Sequence, residues 1–252
     1  MFRRLAQIIA AFLTGVVGVM FGVGGGIILI PVLLFTGVKT KKTVGTSLAI
    51  IMFITLSGTL QHFHMKTLEI SQNNLYLMGA GVLGAVFGSI FLNLFKSKTI
   101  TYLIIAYFYI MGIAMILNPL FINAEFLYEM PMETFWISGF IVAVISSALG
   151  IGGGAILTPI LIYIFEVPAK ESIGIAMPFM FVLSFTATMI NIKNKFIDYT
   201  SFMLMMPFAV GGTIAAYIYL NKIDNLQIQL GIGVLLLLNA VSITTKYILK
   251  NP

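Results

Sequence analysis

Apolar stretches long enough to cross a lipid bilayer follow one another along almost the whole chain. Of its 252 residues, 60% are hydrophobic and 9% are charged, whereas soluble domains carry about 25% charged residues. A transmembrane helix needs about 20 predominantly apolar residues to cross a hydrocarbon core about 30 Å thick. The sequence therefore predicts an all-α polytopic protein of the cell membrane, with no long polar segment that would mark an extramembrane domain.

The few charged residues narrow the class of protein further. The net charge is +6, and the basic residues lie in short loops between apolar stretches. That placement suits contact with lipid head groups better than binding of nucleic acid. The chain has no cysteine, which excludes disulfides, thiolate metal sites and cysteine nucleophiles. We expect membrane lipids as partners, no nucleic acid and no cofactor, and the oligomeric state is left open.

Two clusters of glycine interrupt apolar stretches at related places in the chain. "GVGGG" at residues 22–26 has a near copy, "GIGGG", at residues 150–154, although each glycine inside a helix costs about 1 kcal/mol relative to alanine. Residues 16–34 and 144–162 align without gaps and are identical at nine of nineteen positions. The match continues weakly after a one-residue shift, so that Gly45 faces Gly174. We infer an internal duplication, in which each repeat begins with a segment broken by glycines.

The duplication divides a single membrane domain into two repeats. We expect the first repeat over residues 1–122, an extracytoplasmic linker over 123–132 and the second repeat over 133–252. In each repeat, three ordinary spans follow the broken segment. The predicted spans are residues 43–63, 74–95, 98–118, 171–191, 200–220 and 226–246.

The basic residues indicate how the chain runs at the glycine clusters. If each broken segment crosses the membrane once, they divide seven against seven between the two sides. If the chain turns back at the glycines, as a re-entrant hairpin or as two short crossings, eleven lie in the cytoplasm and three outside, in agreement with the positive-inside rule. The eleven are Arg3, Arg4, Lys39, Lys41, Lys42, Lys96, Lys98, Lys193, Lys195, Lys246 and Lys250, and the three are Lys66, Lys170 and Lys222. The sequence thus predicts inverted repeats, each a glycine-broken helical hairpin plus three transmembrane helices, with both termini cytoplasmic.

The glycine turns could bind an anion without any basic side chain. A helix is expected to start directly after each cluster, at Ile27 and Ala155. A helix N-terminus presents free N–H donors and a partial charge of about +0.5, which attracts anions. Glycine-interrupted short segments at matching places in two repeats also point to the binding site of a transporter. The alternative is that the glycines only allow helices to pack closely.

Three stretches of the chain resemble a known family. "GVGGGIILIPVLL", "VGTSLAI" and "GIGGGAILTPILI" are similar to the motifs of the sulfite exporter TauE/SafE family, and the resemblance covers nearly the whole chain. It implies a membrane transporter of small sulfur-containing anions such as sulfite or organosulfonates. Thr46 and Ser47 match the family's "GTSL", whereas the second repeat has "GIAMP" at residues 174–178 and lacks both hydroxyls. We therefore expect an asymmetric site, with its polar side chains mainly in the first repeat.

The candidate site residues fall into two sets. The substrate-binding set is Gly24, Gly25, Gly26, Thr46, Ser47, Gly152, Gly153 and Gly154. The helix-breaking set is Gly22, Pro31, Gly150 and Pro159. His62 and His64 are two residues apart and would point to different faces of a helix, so no metal site and no catalytic residue are expected.

The interior of every predicted span lacks acidic and basic residues. A proton relay or a sodium site would usually place one there. An inside-negative membrane potential favours export of an anion by about 2.3 kcal/mol per charge per 100 mV, so export requires no coupling ion. The sequence predicts an exporter of a small anion, and the alternatives are an anion channel or a transporter of an unrelated small solute. An enzyme is not expected, because the spans offer no nucleophile paired with a base.

Overall fold

The protein is described by a computed structural model over residues 2–65, 72–91, 97–117, 132–220 and 222–248. Ten helices occupy most of these residues, and no strand occurs among them. The helices are α1 (Phe2–Met20), α2 (Gly26–Phe35), α3 (Thr40–His64), α4 (Gln72–Phe91), α5 (Ser97–Leu117), α6 (Met132–Leu149), α7 (Gly154–Tyr163), α8 (Ala169–Lys193), α9 (Tyr199–Leu220) and α10 (Asn225–Ile248). Of the predicted linker, only Met132 lies among the described residues.

The helices confirm the expectation of an all-α polytopic protein. Within the described ranges, five of them are long and apolar enough to cross a membrane, namely α1, α3, α8, α9 and α10. The six predicted spans fall on α3, α4, α5, α8, α9 and α10, and most of their ends differ by only a few residues. The length of an apolar stretch is a local property, which is why hydropathy locates these helices well.

The helices of the two halves pack in a symmetric pattern. Helix α1 packs against α9, and its counterpart α6 packs against α4, the counterpart of α9. Helix α3 packs against its own counterpart α8, and α5 packs against its counterpart α10. The pattern is therefore unchanged when the halves are exchanged, as an internal duplication would produce.

The central helices α3 and α8 run antiparallel. Near the start of α3, the Thr46 hydroxyl accepts a 2.8 Å hydrogen bond from the N–H of Asp198, which follows the end of α8. Near the end of α3, a Cβ placed on Gly58 would lie 2.7 Å from Sδ of Met177, near the start of α8. Inverted repeats would produce this arrangement, and the orientation of the repeats relative to a membrane stays a prediction.

The buried core follows this central pair. Leu48 and Ile54 of α3 and Phe179 of α8 are fully buried. Large apolar side chains of the surrounding helices are exposed instead, for example Ile110 and Leu238. Exposed apolar surface of this kind is expected where helices face lipid rather than water.

Small residues bring some helix pairs into backbone contact. A Cβ on Gly15 of α1 would collide with the carbonyl oxygen of Ala209 in α9, and one on Gly88 of α4 would collide with Oγ of Ser147 in α6. In a membrane, where apolar burial drives association weakly, such close approach supplies the van der Waals contact. Helix packing therefore accounts for these glycines, which lie outside the two clusters.

Candidate functional site

At the first glycine cluster, the chain turns back on itself. Helix α1 ends at Met20 and α2 begins at Gly26. At the far end of this pair, Nε2 of Gln7, early in α1, donates a 2.9 Å hydrogen bond to Oγ1 of Thr36, just after α2. The end of α2 therefore lies beside the start of α1, and the two helices form an antiparallel hairpin. A single straight crossing, one of the two possibilities left by the sequence, does not fit this geometry.

The second cluster makes the same reversal. Helix α6 ends at Leu149 and α7 begins at Gly154. The rings of Phe135, early in α6, and Phe165, just after α7, stack with centroids 4.2 Å apart. Phe135 stands where the first repeat has Gln7, and Phe165 directly follows Ile164, which caps α7 as Thr36 caps α2. Each repeat therefore begins with a helical hairpin closed at equivalent positions.

Both turns use a left-handed backbone at the same three positions. The φ angles are 63°, 73° and 83° at Gly22, Gly24 and Gly25, and 76°, 86° and 94° at Gly150, Gly152 and Gly153. An L-residue with a Cβ is strained in this region, whereas glycine adopts it readily. The conformation of the turns thus explains glycine at three of the four positions in each cluster.

The fourth glycine of each cluster is explained by contact between the turns. A Cβ on Gly26 would lie 2.6 Å from the carbonyl oxygen of Gly150, and one on Gly154 would collide with the carbonyl oxygen of Gly22. The first helical residue after each turn therefore rests on the backbone of the other turn. The two clusters, far apart in sequence, form one structural unit at the centre of the molecule.

The short helices start without a side-chain cap. They begin at Gly26 and Gly154, one residue before the expected starts, and neither Gly25 nor Gly153 at the N-cap supplies a capping side chain. The carbonyl of Gly25 accepts hydrogen bonds from the N–H groups of Ile28 and Leu29, at 3.0 and 3.1 Å. No hydrogen bond found in the described parts of the chain uses the N–H of Gly26. Uncapped donors of this kind are the groups that bind anions at helix N-termini.

Apolar side chains pack closely against both turns, and Met180 and Ile51 lie against the middle glycines. A Cβ on Gly24 would lie 2.8 Å from Sδ of Met180, and a Cβ on Gly152 would lie 2.8 Å from Cγ2 of Ile51. Met180 and Ile51 are both fully buried, and they occupy equivalent places in the aligned α8 and α3. Met180 also contacts Gly154, since a Cβ there would lie 2.5 Å from its Sδ. In this conformation the turns are enclosed by protein.

The two candidate hydroxyls of α3 contact protein backbone. Ser47 Oγ donates a 2.9 Å hydrogen bond to the carbonyl oxygen of Gly150. Thr46 Oγ1 accepts the N–H of Asp198. Both residues are fully buried. Ser47 therefore lies at the second turn, although its proton is directed to a carbonyl rather than to a ligand.

A third hydroxyl, on Thr158, was not among the sequence candidates. Thr158 Oγ1 donates a 2.8 Å hydrogen bond to the carbonyl oxygen of Gly22. Each turn is thus held by a hydroxyl from the other repeat, because Ser47 bonds Gly150 and Thr158 bonds Gly22. The aligned repeats contain a signal for this contact, since Thr158 is the polar counterpart of Ile30.

The two prolines lie inside the short helices after the turns. Pro31 is in α2 and exposed, whereas Pro159 is in α7 and buried. A proline has no N–H, so the carbonyl four residues earlier lacks its usual helical partner. The residues affected are Ile27 and Ala155, in the first turn of each short helix.

Both histidines lie at the end of α3. His62 is buried and His64 is exposed on the last turn of α3. Among the described residues, no group of three histidine, cysteine, aspartate or glutamate side chains lies close enough to hold a metal ion.

Comparison with known families agrees with this architecture. The family model described as "Sulfite exporter TauE/SafE" matches residues 7–244. The chain belongs to this family. The match spans both hairpins and the core pair α3 and α8, so membership rests on the whole molecule and not on one motif. It identifies the protein as a multi-pass membrane transporter.

Several curated relatives are also described as transporters. The probable membrane transporter protein YunE of Bacillus subtilis is 23% identical over 237 residues, covering 84% of this chain and 86% of the relative. A probable membrane transporter protein of Methanocaldococcus jannaschii is 27% identical over 185 residues, covering 67% and 65%. Another, of Haemophilus influenzae, is 30% identical over 162 residues, covering 61% and 59%. No solved structure matches the chain.

Proposed function

We propose that this TauE/SafE member exports a small anion, sulfite or a related sulfur oxyanion or organosulfonate, and binds it at the N-termini of α2 and α7. The observation that carries the proposal is the contact between the two turns. Gly26 and Gly154, which begin the two short helices, each rest on the backbone of the opposite turn. Two uncapped helix N-termini therefore meet at one place in the protein interior.

An oxyanion suits the groups that this place offers. Its several oxygens accept hydrogen bonds, and backbone N–H groups at helix starts donate them. Two helix dipoles add a positive field that is stronger in a buried site than in water. Gly24 and Gly152, which have no side chain, leave the main chain accessible as soon as Met180 and Ile51 move aside.

Binding therefore requires a conformational change around the turns. Met180 and Ile51 occupy the space through which an anion would approach the glycines. Ile51 lies on α3 and Met180 lies on α8, so one movement of these two helices relative to each other would displace both side chains from the turns. A methionine is well suited to such a site, because its unbranched thioether changes conformation easily. A protein that must move in order to bind is expected to show saturable transport rather than open-channel conductance.

Export follows from the charges of the anion and of the membrane. An inside-negative potential of 100 mV favours the exit of a dianion by about 4.6 kcal/mol, twice the value for one charge. The acidic and basic residues of the long central helices lie near their ends, as Lys42 does in α3 and Glu171 does in α8. The proposal therefore includes no proton or sodium coupling.

The second turn offers the sharper binding test. A Cβ on Gly153 would lie 3.1 Å from Cε1 of Phe179 and 3.3 Å from Cδ1 of Leu183, so Gly153→Ala requires both side chains to shift by a few tenths of an ångström. The backbone at this position, with φ 94° and ψ −33°, adds a cost of about 1–3 kcal/mol. The methyl group would keep an anion from the main chain. We expect affinity for sulfite, thiosulfate, sulfate or a sulfonate, measured by thermal shift of the purified protein, to fall about tenfold or more. Gly211→Ala is the matched control, because no atom lies within 4 Å of its Cβ position.

The first turn needs a paired variant. A Cβ on Gly25 would collide with Cγ2 of Thr14, so Gly25→Ala alone is expected to damage the fold. Thr14→Ser removes that methyl group and serves as the control, and Gly25→Ala in the Thr14→Ser background tests the turn. Affinity that is unchanged in both glycine variants, with a lowered melting temperature, would favour the packing explanation and contradict anion binding at the turns.

A further inference from the structure

An open polar cavity lies at the end of the molecule where α1 begins, α2 ends and α9 begins. Its volume is about 440 Å³. The residues that give it its character are Gln7, Thr36, Lys39, Lys42, Asp198 and Ser201. The glycine turns lie elsewhere, so this cavity is separate from the site proposed above.

The cavity has a buried polar floor. Gln7 is 7% exposed. Its Nε2 donates hydrogen bonds to Oγ1 of Thr36 at 2.9 Å and to Oγ of Ser201 at 3.1 Å. One side chain of α1 thus links the end of α2 to the start of α9. Because hydrogen bonds hold this floor between α1, α9 and the residue after α2, the cavity is a regular part of the fold and not a gap between loops.

The walls of the cavity carry an excess of positive charge. Lys39 and Lys42 line it, and the guanidinium of Arg3 lies close to its rim, 3.6 Å from a Cβ placed on Gly37. Asp198 is the opposing charge, and its Oδ2 accepts the N–H of Ser201 at 3.2 Å as a cap of α9. Helix α3 starts at this wall without a side-chain cap, so its first N–H groups add to the positive potential.

The equivalent place in the second repeat has a different character. Phe135 is the aligned partner of Gln7, and its ring stacks on Phe165, which directly follows the C-cap of α7. The aligned partners of Lys39 and Lys42 are Pro168 and Glu171. One end of the molecule thus offers a cationic cavity, and the matching end offers an apolar contact and an acidic residue.

The cavity is connected to the second turn through α3. The N–H of Asp198, in the cavity wall, donates to Oγ1 of Thr46 at 2.8 Å. The next residue, Ser47, donates to the carbonyl of Gly150 at 2.9 Å. Two consecutive residues of one helix therefore join the cavity wall to the backbone of the turn.

We propose that this cavity is an anion-capture site, which concentrates oxyanions at one face of the protein before they reach the turns. The inference rests on the proposed function and assigns it a direction, because the cationic cavity lies at this end of the molecule. A cationic recess of this kind raises the local concentration of an anionic ligand. The positive-inside expectation assigns this face to the cytoplasm, from which an exporter takes its substrate.

The chain has no cysteine, so a single introduced thiol can report on the cavity in purified protein. Thr200 lines the cavity and is exposed, and Asn194 is exposed after the end of α8 without lining it. The probes are sulfate and ethanesulfonate, which do not react with thiol reagents. We expect either anion to slow labelling of Thr200→Cys by a sulfonate-bearing methanethiosulfonate, and to leave labelling of Asn194→Cys unchanged.

The lysines provide the second arm of the experiment. Lys39→Gln with Lys42→Gln should raise the sulfate concentration needed for half-protection by about threefold or more at low ionic strength. The difference should shrink near 1 M salt, where the screening length is about 3 Å. Lys193→Gln is the matched control, since it removes an exposed lysine at the end of α8 that does not line the cavity.

The outcomes separate this inference from the proposed function. No protection of Thr200→Cys by either anion, or equal protection with and without Lys39 and Lys42, overturns the capture site. Protection that survives in Gly153→Ala supports a site independent of the turns. Protection that disappears in Gly153→Ala means that the reporter senses binding at the turn, which also overturns the capture site. The proposed function fails instead if Gly153→Ala leaves anion affinity at the turns unchanged.

Discussion

The glycines of the two turns adopt positive φ angles and have no side chain to cover their own main-chain groups. Two of the side chains packed against the turns, Met180 and Ile51, occupy equivalent places in the repeats but differ in stiffness. Ile51 is β-branched and largely fixed at χ1, whereas Met180 is unbranched and adapts its shape. We infer that Met180 is the more mobile of the two and that it limits the size of anion that reaches the turns.

Shortening Met180 tests this role. Met180→Ala should lower stability by about 2–5 kcal/mol through the cavity it leaves, and should raise the affinity for ethanesulfonate relative to sulfite. Met177→Ala is the control, because Met177 is equally buried and contacts Gly58 instead of the turns. Thermal-shift titrations of both variants give stability and affinity together. An unchanged affinity ratio in Met180→Ala would show that Met180 only fills space.

At the level of helices, the positions of the elements follow from local signals and their partners do not. Hydropathy located six spans, and the charge count favoured a reversal at the glycines, which the contact between Gln7 and Thr36 bears out. The sequence contains no comparable signal for the pairing of α1 with α9 or of α6 with α4, because the apolar faces of different helices have similar sequences. For the same reason Met180, Ile51 and the Thr158 contact were not predicted, whereas the glycines were recognisable because the same cluster occurs twice within apolar stretches.

The geometry of the helices sharpens the prediction of topology. Phe196 follows α8, and its ring lies 5.4 Å from Nζ of Lys41 in α3. The basic segments at residues 39–42 and 193–195 therefore lie at the same end of the molecule, as the positive-inside count requires. We predict that this end is cytoplasmic. Cysteines placed at Thr40 and Asn194 should resist an impermeant thiol reagent on whole cells and react after permeabilisation.

A residue at the start of α6 serves as the opposite marker. Glu133 is exposed and directly follows the linker predicted to lie outside, so Glu133→Cys should react on intact cells. Labelling of Thr40→Cys from outside would contradict the predicted orientation. It would leave the helix packing intact and would turn the capture site toward the exterior.

For the molecule as a whole, the symmetric arrangement of helices and the asymmetric distribution of charge have different consequences. The symmetry brings two helix N-termini together, which a single hairpin could not do. In our proposal the asymmetry gives the two ends different affinities for an anion, because Lys39 and Lys42 lie at one end and Glu171 at the matching position of the other. Family membership establishes transport, and these two features supply our proposed substrate class and direction.

The most direct test is the flux of radiolabelled sulfite through the purified protein in liposomes under an imposed membrane potential. We predict saturable flux that follows the voltage at constant pH, is retained in Gly211→Ala and is largely lost in Gly153→Ala. Flux in Gly153→Ala equal to that of the unmodified protein, or flux that ignores voltage and follows only a proton gradient, would contradict export of an anion through the two glycine turns.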